Sequence, residues 1–168
     1  LRLSTHLSGD HSTMQMAAKF KEILAEKSGG TLDVEFYTDG QLGGQTENCE
    51  SLKSGTVDMT IIDTGTLANY NPKAGILDMP YLFASKDQAI AAVSGEVGQQ
   101  FMDMVTESTG IRPISIQTIA FRNTLLKDKA IDSLADFQGV KVRIPDNPAI
   151  EACFSALGAT PVAIPSGE

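Results

Sequence analysis

The chain has 168 residues, 42% hydrophobic and 20% charged, which suits one ordinary core, or one domain and part of a second, and excludes a disordered segment. Its 21 acidic residues against 13 basic ones leave a formal charge of -8, which aids solubility, repels phosphate backbones and argues against nucleic acid as a partner. The longest apolar runs are only a few residues, so none reads as a membrane-spanning helix.

The first stretch, LRLSTHL, reads as a strand with no methionine before it, the appearance of a chain whose leader has been removed or which has been trimmed. A helix is expected to open at Ser12, with Ser12 and Gln15 as a capping box. Its apolar positions Met16, Ala17, Phe20, Ile23 and Leu24 recur at helical spacing, and Gly29-Gly30 stop it. TLDVEFY alternates as a strand, with Leu32, Val34 and Phe36 inward. A glycine-rich loop, DGQLGG, leads to a short helix that Gly55 ends. VDMTIID is the next strand, and TGTLANYNP begins a helix limited by Pro72. Two helices over 86–93 and 95–109 follow, then a strand over 111–119. SLADFQG reads as a capped turn of helix and VKVRIP as a strand. Asn147-Pro148 is an N-cap with proline at the first helical position, and Ile150, Cys153, Phe154 and Leu157 share one face of that helix. TPVAI is a last strand, and Ser-Gly-Glu at the end reads as the doorway to another helix. Strand and helix alternate throughout, without sequence repeats, so the class is α/β with mostly parallel sheets. Cys49 and Cys153 lie far apart without a CxxC pattern and read as free thiols.

Open α/β sheets bind ligands beyond the carboxyl ends of their strands, so the loops there are the places to search. Four stand out: Thr5-His6 after the first strand, Asp63-Thr64 after the third, Phe121-Arg122-Asn123, and Arg143 in KVRIP. With Val140, Val142 and Ile144 turned to the core, Arg143 faces the other way and Pro145 ends the strand behind it. A guanidinium there offers a rigid fork matched to a carboxylate or phosphate, although pairing with a structural Asp or Glu is the commoner case. Arg122 carries the same ambiguity. His6 and His11 are too few and badly spaced for a metal site, and His11 reads as a helix-start residue. Gly43-Gly44 precedes a helix without a following Lys-Ser/Thr, so it fails as a phosphate loop. Asp63 and Thr64 either orient a ligand hydroxyl or cap their helix. No Ser/His/Asp or Cys/His order makes a nucleophilic site, so the residues point to binding, with no metal or cofactor.

Four segments carry a resemblance to a family: AAKFKEILAEKSGGTLDVEFYTDGQLGG, LKSGTVDMTIIDTGTLANYNPKAGILDMPYLF, FRNTLLKDKAIDSLADFQGVKVRIPDNP and ALGATPVAIPSGE. In this order over the whole chain, they resemble the periplasmic solute-binding proteins of tripartite ATP-independent periplasmic (TRAP) transporters. The resemblance implies two α/β lobes that close around an organic acid, with Arg143 on the ligand carboxylate and Arg122 near the same cleft. It implies that Asp63 with Thr64, and Thr5 with His6, line the wall of the first lobe. It implies membrane subunits driven by an ion gradient as partners, and no nucleotide.

Members of that family are substantially longer, so 1–121 is expected to form the first lobe, and 122–168 the crossing and the opening of an incomplete second lobe. A half-built lobe would expose sheet edge and favour a homodimer or a domain swap. Two other function classes fit less well: an enzyme on the same scaffold, and an extracellular sensing module feeding a receptor kinase.

Overall fold

The structure, a computed structural model, describes residues 1–118, 121–127 and 130–164. They gather in two compact units, Leu1–Asp63 and Thr64–Ile164.

In the first unit, β1 (Arg2–Thr5), β2 (Glu35–Tyr37) and β3 (Met59–Ile61) form a parallel sheet in the order β2-β1-β3. Parallel neighbours need crossovers, and α1 (Ser12–Lys27) and α2 (Gln45–Ser54) supply them. Leu3 pairs with both Phe36 and Met59, which makes β1 the central strand. The core holds Leu3, Met14, Ala17, Val34, Cys49 and Val57. Within it, Ser4 Oγ donates to Asn48 Oδ1 at 2.6 Å, and Asn48 Nδ2 donates to the Gly43 carbonyl at 3.3 Å. A buried polar pair of this kind ties α2 and its preceding loop to β1.

Two local expectations for this unit need correction. The cap of α1 is His11, whose Nδ1 accepts from the Thr13 amide at 3.2 Å, so Ser12 is already helical. The buried stripe starts from Thr13, Met14 and Ala17, leaving Met16 and Ile23 exposed at its edges. The second strand is also shorter than its alternation suggests. Arg2, the first residue of β1, pairs with Glu35, so Leu32 has no strand beside it and is exposed. Val34 is fully buried, as the pattern requires.

In the second unit, 3-10 helices at Thr64–Asn69 and Pro72–Asp78 pack on each other, and α3 (Lys86–Ser94) packs on α4 (Glu96–Thr109). A further 3-10 turn at Leu134–Phe137 precedes β4 (Lys141–Ile144), α5 (Pro148–Ala156) and β5 (Thr160–Ala163). β4 and β5 form a two-stranded parallel sheet, with α5 as its crossover. Phe101, Val105, Leu67, Ile144 and several alanines make the core. Asn147 caps α5 as its sequence predicts, its Oδ1 accepting from the amides of Ala149 and Ile150 at 3.0 and 3.2 Å.

The predicted helix at TGTLANYNP is thus 3-10. Gly65 in it lies directly against the Asn147 side chain, where any Cβ would overlap that amide. The strand expected over 111–119 is absent from 111–118, which run without regular structure. Pro113 removes a ladder donor there, and no strand lies alongside among the described residues. The rest of that expected strand, and the helix doorway at Ser-Gly-Glu, lie outside the described residues. Within the second unit, α5 packs on both long 3-10 helices.

Candidate functional site

β1 and β3 are neighbours in that sheet, and the carboxyl ends of such strands form the edge where open α/β sheets bind ligands. Thr5, His6 and Asp63 all lie at that edge of the first unit. The Thr5 hydroxyl is buried and already used: Oγ1 donates to the Ile61 carbonyl at 3.0 Å and accepts from the Leu7 amide at 3.2 Å. Thr5 therefore shapes the edge by tying β1 to β3. His6 is half-buried, and its Nδ1 is enclosed without a hydrogen-bond partner. Burial holds its pKa below the ordinary histidine value; Asp63 pulls the other way, and His11 adds to the depression.

Asp63 is gripped by Gln45, a residue that sequence reading did not single out. Its backbone amide donates to Gln45 Oε1 at 2.6 Å, and Gln45 Nε2 donates to Asp63 Oδ2 at 3.2 Å. Gln45 is the first residue of α2 and follows Gly43, whose φ of 113° no ordinary side chain adopts easily. A Cβ on Gly43 would also stand 2.6 Å from Glu47 Cβ. The glycine pair thus makes the tight entry that brings Gln45 to the end of β3. The signal in the sequence was a glycine turn opening a helix between two strands, and only the fold shows what that turn presents.

The other expected residues belong to the second unit. Arg143 stands exposed on β4, with Lys141 exposed and Val142 and Ile144 turned inward, as the alternation predicts. It is paired in register with Val162 of β5. Arg122 is exposed in an irregular segment. Thr64 Oγ1 donates to Asp78 Oδ2 at 2.7 Å, a bond that ties together the two 3-10 helices. A shallow groove of about 380 Å³ lies along α4, lined by Gln99, Met102, Asp103, Thr106 and Arg112; none of the expected site residues lines it. Among the described residues no group of three or more His, Cys, Asp or Glu side chains is placed to hold a metal ion. None of the described helices is long and apolar enough to cross a membrane.

Residues 3–168 match the family described as bacterial extracellular solute-binding protein, family 7 (DctP). The chain belongs to that family. A solute-binding protein of Roseobacter denitrificans is 36% identical over 158 residues, covering 93% of this chain and 48% of that protein. The C4-dicarboxylate-binding protein DctB of Bacillus subtilis is 28% identical over 94% of this chain and 45% of its own length. A TRAP periplasmic solute-binding protein from a Bradyrhizobium species, crystallised with galacturonate, superposes with a TM-score of 0.93 at 26% identity. That match covers the whole of this chain and 56% of the other. The fold is therefore the α/β architecture of the two-lobed TRAP binding proteins, and the chain spans about half the length of the relatives it matches. DctP members are binding proteins of transport systems.

Proposed function

We propose that the protein to which this chain belongs is a periplasmic receptor that captures a carboxylate-bearing organic acid and delivers it to ion-gradient-driven TRAP membrane subunits. The observation that carries the reading is Arg143: a guanidinium displayed on the outward face of β4 in a DctP chain. Its planar fork matches a carboxylate and is the chemistry an acid receptor needs. Arg122, also exposed, is a second cation for the same anion, while Asp63, Thr64, His6 and Thr5 belong to the first lobe's wall. Related proteins were named for, or crystallised with, C4-dicarboxylate and galacturonate, and a carboxylate is what these ligands share.

On this reading the first lobe runs to about Phe121, and residues from Arg122 onward open the second. Binding, rather than turnover, is the activity, and transport, rather than a receptor kinase, is its destination. Delivery to such subunits puts the protein outside the cytoplasmic membrane, after removal of a leader. A homodimer or an exchange of elements with a second copy is part of the same reading, because among the described residues β4 and β5 each pair on one side only.

The test is isothermal titration of the full-length protein with a panel of mono-, di- and sugar carboxylates, beside the corresponding neutral sugars. Micromolar or tighter binding of an acid, lost in its neutral counterpart, is expected. Turnover of the acid, or absence of binding across the panel, would overturn the reading.

A further inference from the structure

We infer that the start of α5 is a closing latch: Asn147 seats on Gly65, Asp146 accepts from Asn69, and this seat holds β4 and its Arg143 in the position that retains the ligand. The latch rests on the acid-receptor reading, with its lobe division near Phe121, and adds to it a device that governs ligand release.

The two sides of the contact are built differently. On the receiving side, Gly65, Thr66, Leu67 and Ala68 of the 3-10 helix at Thr64–Asn69 are buried. Thr64 Oγ1 donates to Asp78 Oδ2 at 2.7 Å and braces that helix against the one at Pro72–Asp78. On the docking side no residue of α5 is buried; what is buried is its cap, Asn147. The Asn147 amide lies where a Cβ on Gly65 would stand, so glycine alone admits the approach. Beside this seat, Asn69 Nδ2 donates to Asp146 Oδ2 at 3.0 Å, with both residues exposed. A small polar seat is the kind that separable parts of one chain use, whereas a large apolar interface stays shut.

The docking side is also stiffly joined to the residue that carries the charge. Pro145 and Pro148 bracket Asp146 and Asn147 and fix φ on either side of them. Arg143 stands just before them on β4. Asn147 Oδ1 meanwhile accepts from the amides of Ala149 and Ile150, so its side chain cannot turn away from Gly65 without giving up the cap. Seating Asn147 therefore places the end of β4, and leaving the seat releases it.

The experiment uses the full-length protein and stopped-flow binding of galacturonate, or of the tightest acid in the panel. Gly65→Ala puts a methyl group into the seat, and because Gly65 has no positive φ, alanine adds no backbone strain. Dissociation should accelerate about tenfold while association changes less than about twofold, because a latch acts after capture. In an Asn147→Gly background the overlap is gone and glycine remains an acceptable cap, so the same substitution should change dissociation less than about twofold. Asn69→Ala removes only the exposed bond and should accelerate dissociation about threefold. It carries the test if Gly65→Ala does not fold.

Dissociation within about twofold of wild type in Gly65→Ala, or an equal acceleration in both backgrounds, overturns the latch. Unchanged dissociation in Asn69→Ala does the same where Gly65→Ala does not fold. If the wild type binds no acid of the panel, it is the acid-receptor reading that fails. Small-angle X-ray scattering then decides the latch alone: a larger radius of gyration in Gly65→Ala than in wild type upholds it, and an unchanged radius sinks it.

Discussion

The two units treat their polar residues differently. In Leu1–Asp63 the polar side chains near the strand ends are fastened to their own framework: Ser4 to Asn48, Thr5 to Ile61, and Asp63 to Gln45. Thr5, Ser4 and Asn48 are completely buried. In Thr64–Ile164 the residues with binding chemistry, Arg143 and Arg122, are exposed, and the sheet that carries Arg143 has two strands among the described residues. The difference is between an edge of buried, internally bonded side chains and cations exposed at the surface. A preorganised acceptor favours selectivity, because its cost of ordering is met on folding. An arginine on an outward strand face favours strength, because it brings full charge to the anion.

That contrast can be broken most decisively at Arg143. In the full-length protein, Arg143→Ala should weaken acid binding by about 3–5 kcal/mol, roughly 10² to 10³·⁵ in affinity, as expected when one partner of a desolvated pair is removed. Arg143→Lys should also weaken it, since an ammonium lacks the fork. Affinity within threefold of wild type in Arg143→Ala would remove the second unit from the account of binding strength.

The next largest effect belongs to the internal bracing of the first unit. Asn48→Ala strands the buried Ser4 hydroxyl and should cost about 1–3 kcal/mol in a urea melt. The matching change in the second unit, Asn147→Ala, removes a helix cap and should cost about 1 kcal/mol. If Asn147→Ala proved the more damaging, the second unit would be the more tightly braced, and the contrast would reverse.

The smallest effect is the pH response of His6. Because burial depresses its folded-state pKa, the unfolded chain takes up a proton first as pH falls below the ordinary value of 6.5. Stability contributed by the neutral ring is therefore present above that value and is lost as pH falls towards the folded pKa. His6→Asn should flatten this part of the stability–pH curve; an unchanged slope between pH 7 and 5 would mean that His6 is not desolvated.

Much of this was legible in the residues, because the signals were local. Asn147-Pro148 specifies a helix start by an acceptor oxygen and a fixed φ, and both work within a few residues. The alternation in VKVRIP assigns Arg143 to the outward face, and the structure agrees because a strand's two faces are set by its own pleat. Four spaced segments were enough to expose the family. The misreadings arose where a local signal competed with something distant. Residues 111–118 look like a strand, but a strand exists only with a neighbour. TGTLANYNP looks like an α-helix, but Gly65 is drawn against Asn147, more than eighty positions along the chain.

What the sequence determined by itself, then, was most of the elements, the α/β class, the family and the outward placement of Arg143, all encoded in patterns shorter than one element or in their order. Tertiary structure alone decided that β1 is central, that the Thr5 hydroxyl is spent internally, and that Gln45 reaches Asp63 across eighteen residues. Those facts depend on which strand ends become neighbours when the sheet closes, and no spacing along the chain records a distance through space.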